Sequence, residues 1–403
     1  MQENYAELLL KQCLNIKKEQ PLLISAPTES YSFVEIVAQK AYQMGVTDIY
    51  FDWEDETLKK LQLENLSIEQ IQNSSFWNKA IFDEYAKKNS AFLMLYSFED
   101  LKSDKVTDEI LNYTASLFRT SRPIYKKKQL NYDIPWCIAC VATKTWAEKL
   151  FPEEENNLTK LWNTIYKMCL VDSENPLEAW KEKNKFNQKK CDFMNQHQFQ
   201  YLRYRNELGT DLTIELPKDH IWEGSITKSS YGDDIIVNMP TEEIFTSPYK
   251  YGTNGVVYSS KPLIYNGTLI DNFMIQFKDG KVTKFSALEG YESLKGIITS
   301  DEGSCYLGEV ALVDYDSPIS KSGIIFYETL YDENAACHLA LGNSFTTCLK
   351  NSSTMPEEEL YQIINDSNTH VDFMIGTKDL EIIGIDENGN ETIIMKNGNF
   401  IQI

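Results

Sequence analysis

The texture of the chain changes near Thr210, and that change limits the folds open to it. Before it, apolar runs of strand length alternate with helix-length amphipathic segments: PLLISAP at 21–27, DIYFDW at 48–53, AFLMLYS at 91–97 and WCIACVA at 136–142. Apolar runs separated by helices belong to a parallel sheet covered on both faces. After it come β-branched and aromatic runs, TDLTIEL, DDIIVNM, GVVYSS, FMIQFKDGKVTKF and TIIMKNGNFIQI, with Asp279-Gly280 as a two-residue hairpin turn. The fold class that follows is α/β, with an N-terminal parallel-sheet α/β domain over 1–185 and a strand-rich α+β C-terminal domain over 186–403. Helices are expected in the second domain at 290–298, 334–345 and 356–365. A mostly helical stretch from about Asn156 to Tyr204, broken near Asp172 to Pro176, carries the chain between the two. At 403 residues, two domains are the natural division.

Several function classes fall away at this stage. A net charge of −21 repels nucleic acid. Nowhere does an apolar run reach the roughly 18 residues that a membrane span needs. The opening MQENYAELLLKQCLNI reads as an amphipathic helix without the basic start and unbroken apolar core of a secretory signal, so a cytoplasmic setting is expected. Eight scattered cysteines suit a reducing compartment. Cys137 and Cys140 form a CxxC, but WCIACVAT reads as a buried strand, in which positions three apart face opposite ways. A parallel sheet invites a dinucleotide, yet the turn after the first strand is APTESYS and has none of the glycines that let backbone approach a pyrophosphate.

The second half holds acids and imidazoles in four places. Glu243 stands in NMPTEEIFTSP beside Glu242, between a strand and a proline-bounded loop, a position where paired acids are commonly just solvated. Glu309 follows Gly308 in LGEVALV at the start of an apolar strand or helix, where an acid also suits the helix dipole. Glu333 and His338 lie in DENAACHLALG. Five apart on an ideal helix, they would diverge by about 140°, so Glu333 reaches His338 only if it lies on the incoming turn. His370 and Asp372 in THVDFMIG alternate onto one face of a strand, with Val371, Phe373 and Ile375 on the other. A buried strand that shows an imidazole and a carboxylate side by side binds something, because an unpaired buried charge is costly; a salt-bridged pair on an exposed face is the alternative. Jointly, four carboxylates and two imidazoles suit two divalent metal ions, with zinc, cobalt or manganese acceptable. A pair of ions that shares an activated water points to hydrolysis.

These blocks resemble the thermophilic-aminopeptidase family of metallopeptidases. The likeness runs nearly end to end, through QPLLISAP, GTDLTIELP, NMPTEEIFTSP, SSKPLIYNGTLI, LGEVALV, SPISKSGIIFYETLYDENAACHLALG and NDSNTHVDFMIG. The resemblance implies a cytoplasmic, homodimeric exopeptidase that acts on peptides with a free N-terminus through two divalent metal ions in its C-terminal domain. It puts the ligands on Glu243, Glu309, His338, His370 and Asp372, with Glu333 among or beside them. Glu309 is then the carboxylate expected to help take the proton of the bridging water, with Glu333 as the second catalytic acid.

The chain departs from the family at Phe345, where a tyrosine is usual; a phenol there can donate to the oxyanion of a tetrahedral intermediate, and a phenyl cannot. Tyr249 and the loop after HIWEGS also differ. His220 and Trp222 within that block are structural or line the substrate route, and His197 is structural. A weakened relative that binds peptides or acts as a scaffold is the competing function. Dinuclear phosphoester hydrolysis fits the ligands but not the acidic surroundings.

Overall fold

The strand Leu22–Pro27 is buried along nearly its whole length because both of its faces meet apolar side chains. It runs parallel to Ile49–Glu54 on one side and Ala91–Tyr96 on the other. Trp136–Cys140 and the short Asn238–Met239 extend the sheet, also in parallel. On one face Leu23, Phe92 and Met94 pack with Phe82 and Tyr125, whose rings meet edge to face at 5.3 Å. Full burial of each such side chain contributes about 1.5–3 kcal/mol. Tyr5, from the helix Gln2–Leu8, stacks on Phe33 at 5.3 Å and donates to the Cys140 carbonyl at 3.0 Å. The parallel α/β reading of the first half is therefore borne out, and Cys137 and Cys140 are buried within the strand as anticipated.

The computed structural model describes residues 1–74, 76–265 and 267–401. Asn266 of the SSKPLIYNGTLI block, and Gln402 and Ile403 at the end of TIIMKNGNFIQI, lie outside the described residues. Two compact units divide the chain: Met1–Glu182 with Ile226–Pro240, and Lys183–Ser225 with Thr241–Ile403. Among the described residues no helix is long and apolar enough to cross a membrane.

The second unit is strand-rich. Its larger sheet is antiparallel and includes Tyr201–Arg205, Asp211–Glu215, Thr253–Tyr258, Thr268–Lys278, Lys281–Glu289 and Glu381–Ile385. The turn Asp279-Gly280 has φ of 51° and 79°, the left-handed pair that a tight hairpin requires. A smaller antiparallel sheet has the order Ile244–Thr246, Leu307–Leu312, His338–Gly342, His370–Met374. From this sheet Val310, Leu339, Leu341, Val371 and Phe373 enter one apolar core with Leu202, Leu212, Ile275 and Ile382 of the larger one. Strand alternation then commits every other residue of the small sheet to its opposite face.

Two expected helices form, as Tyr291–Ile298 and Glu357–Ile363. The one expected over 334–345 does not. A short helix Thr329–Asp332 passes into a 3₁₀ turn Glu333–Ala335, and His338–Gly342 is a fully buried central strand. HLALG reads equally well as helix by composition, but it is hydrogen-bonded on both sides by Leu307–Leu312 and His370–Met374. Tertiary pairing overrides a weak local preference. Phe345 lies beyond the end of that strand. Likewise Tyr201–Arg205, at the close of the supposed helical stretch, is a strand.

Candidate metal centre

The face of the small sheet turned away from the core carries the predicted residues in register. Glu309, Ala340 and Asp372 form one cross-strand row; Ala311 and His338 lie in the next; Gly342 pairs with His370. On these strands each ligand-type side chain has a small residue directly beside it: Ala340 between Glu309 and Asp372, Ala311 opposite His338, and Gly342 opposite His370. The alanines that matter are thus Ala311 and Ala340, on neighbouring strands, while Ala335 and Ala336 are buried in the preceding turn. Gly308 precedes Glu309 at an irregularity in the ladder, where a Cβ would meet the Asn343 and Gly342 carbonyl oxygens at 2.1 and 2.4 Å. Only glycine permits that approach.

Two groups of potential ligands result. Glu243, Glu309 and His338 offer atoms within 4.8 Å of one another, and so do Glu309, His370 and Asp372. Glu309 belongs to both. His370 Nε2 lies 3.0 Å from Glu309 Oε2 and 3.4 Å from Asp372 Oδ1, and His338 Nε2 lies 3.0 Å from Glu243 Oε2. Each ring is oriented from behind: His338 Nδ1 is 3.1 Å from the Ala336 carbonyl and His370 Nδ1 is 2.7 Å from that of Asn343. A carbonyl on Nδ1 fixes the tautomer that leaves Nε2 as a lone-pair donor to a cation.

Electrostatics favours a cation here. Burial pushes the Glu309 carboxyl up to about 7, opposed by His370 and reinforced by the charges of Asp372 and Glu243. Burial also opposes charge on the two imidazoles. Even so, Glu243, with Glu309 and Asp372, lifts His338 to about 10, and Asp372 and Glu309 lift His370 well above its ordinary range. Asp372, which burial would raise, is held below the usual carboxylate range by His370. Glu243 Oε2 and Asp372 Oδ1 are buried, and the close polar neighbour of each is an imidazole nitrogen, His338 Nε2 and His370 Nε2 respectively. Buried carboxylate oxygens gathered with imidazole nitrogens, a mixed oxygen and nitrogen set, fit divalent ions.

The other acids sort themselves. Glu242 is buried in an ion pair with Lys183, and its N–H donates to Asn334 Oδ1 at 2.6 Å, so of the pair only Glu243 faces the imidazoles. Glu333 falls outside both ligand groups; burial, then Glu243 and Asp372, raise its carboxyl well above the usual range. His220 is buried with Nδ1 2.9 Å from the Pro217 carbonyl, and Trp222 is part of the core. His197 stacks on Phe199 at 5.1 Å. Phe345 sets its ring edge to face with His370 at 5.1 Å and packs on Phe245 at the same spacing.

A family model for thermophilic metalloproteases (M29) matches residues 1–400. The chain belongs to that family. It is 38% identical to aminopeptidase AmpS of Bacillus subtilis (strain 168), with 98% of this chain and 97% of that protein covered. Against aminopeptidase 2 of Geobacillus stearothermophilus the identity is 39%, over 99% and 97%. Its structure is similar to that of wild-type AmpT from Thermus thermophilus with a TM-score of 0.92 at 30% identity, covering 99% and 98% of the two chains. The identification of a metallo-aminopeptidase, drawn first from the motif blocks, stands at the level of the M29 family.

Proposed function

We propose that this M29 chain removes residues from the free N-terminus of peptides, using two divalent cations held by Glu243, Glu309, His338, His370 and Asp372. The observation that carries the reading is the pair of buried candidate ligand groups joined at Glu309. Zinc, cobalt or manganese suits the donor set. Such cations would supply Lewis-acid polarisation of the peptide carbonyl and an activated water.

The side chains divide the remaining work. Glu309, common to both groups, acts chiefly as the shared ligand. Glu333, beside the groups but outside them, carries the proton from the attacking water to the leaving amine. That assignment moves the proton-handling role from Glu309, where the sequence reading put it, to its neighbour. His338 and His370 are held by their backbone carbonyl partners, so the ligand set is organised before substrate arrives. The homodimer and the cytoplasmic setting belong to the same proposal; eight free thiols support the latter.

The test is amino-acid release from a mixed peptide panel after loading with cobalt, zinc or manganese, with a chelator control. N-terminally acetylated peptides are expected to resist; cleavage of both forms at equal rates would rule out the exopeptidase. Phe345 supports a second reading, a relative of reduced turnover that keeps the site for binding peptides, because its ring offers no hydroxyl beside His370.

A further inference from the structure

One carboxylate on the ligand face belongs to neither cation group. Glu223 and Phe245 exchange both backbone hydrogen bonds at 2.9 Å, which makes them directly opposed residues whose side chains share a face. Phe245 in turn pairs with Ala311, and Ala311 with His338. Glu223 therefore extends the candidate ligand face by one strand, although nothing in the sequence singled it out beside His220 and Trp222. Its carboxylate accepts a hydrogen bond from the Thr347 hydroxyl at 3.1 Å, and among the described residues no cationic side chain pairs with it.

Between Glu223 and the imidazoles lie two half-buried rings. Phe245 packs on Phe345 at 5.1 Å, and Phe345 meets His370 at 5.1 Å. An apolar floor that begins at the reacting centre and ends at a lone carboxylate is complementary to an alkyl stem with a terminal cation. Among the predicted ligands Glu243 stands nearest, two residues before Phe245 at the start of the strand next to Glu223, and from that strand the four-carbon stem of lysine has one strand spacing of about 4.8 Å to cross.

We propose that Glu223 determines substrate specificity by receiving the side-chain ammonium of an N-terminal lysine laid along Phe245 and Phe345. The inference rests on the aminopeptidase reading for its substrate, but binding tests it separately from turnover. Calorimetry on the cobalt-loaded full chain compares L-lysine with L-norleucine, which lacks only the terminal amine. The expected result is about tenfold tighter binding of lysine, between what an exposed and a buried ion pair deliver. Glu223→Gln, which can still accept from Thr347, is expected to erase that preference and leave norleucine unchanged.

Equal affinities in the wild-type protein overturn the proposal without any variant. A preference that survives Glu223→Gln also overturns it, as does equal weakening of both ligands, which would assign Glu223 to the α-ammonium or to the fold. Turnover of lysine and leucine amides is measured alongside. A lysine preference without turnover sinks the aminopeptidase and keeps Glu223; turnover without the preference does the reverse.

Discussion

The five-stranded parallel sheet of the first unit and the four-stranded antiparallel sheet of the second use strands of similar length to opposite ends. Leu22, Leu23 and Ile24 are consecutive and all buried among apolar groups, so both faces of that strand serve packing. In His338–Gly342 only Leu339 and Leu341 do so; His338, Ala340 and Gly342 face the ligands. The second arrangement uses the packed face to hold the chemical one. The packed leucines fix the strand's register and so the face from which His338 projects, while the Ala336 carbonyl holds its ring from behind.

Replacing the residue on which both ligand groups depend should test that contrast most severely. Glu309→Ala is expected to reduce bound metal, measured by mass spectrometry of the dialysed protein. Turnover should fall by at least about 10³-fold, since several kcal/mol of charge stabilisation is lost. Retention of two ions would show that Glu309 is not shared. Glu333→Gln should leave metal content intact while kcat drops by about 10²–10⁴-fold, the usual range for loss of a positioned acid or base; loss of metal instead would move Glu333 into the ligand set.

On the purely structural side, Leu23→Ala should cost about 2–5 kcal/mol in denaturant unfolding. The kcat of the folded enzyme should hold. A kcat change of the same size as for the ligand variants would erase the distinction between the two sheets. The smallest effect is expected from Phe345→Tyr. A phenol beside His370 should raise kcat on a leucine amide by up to about 10²-fold, the lower end of what one oxyanion donor supplies. No gain in the metal-loaded enzyme would mean that the hydroxyl is dispensable or comes from another residue.

Much of this was legible in the linear chain. His370 and Asp372 announced themselves through strand alternation, and the apolar runs of the first half gave the parallel sheet. His338 joins one of the candidate ligand groups, but from a strand where the sequence suggested a helix. The run ENAACHLALG is rich in alanine and leucine, and a buried five-residue strand carries no periodicity that separates it from a helix segment. Glu223 left no trace at all, because it reaches the ligand face through an isolated bridge of backbone hydrogen bonds. Nor could spacing tell Glu242 from Glu243; Lys183, fifty-nine residues upstream of Glu242, makes that choice by pairing with it.

Sequence alone determined the two textures, the residue types of the candidate ligand groups and the family. Side-chain chemistry and hydrophobic period are local properties that survive without a fold. Tertiary structure decided the rest: that HLALG is a strand, that Glu309 belongs to both candidate groups, that Glu333 falls outside them, and that Glu223 shares the face of His338. Each depends on which strands lie side by side and in what register, and cross-strand hydrogen bonds set that between residues far apart in the chain.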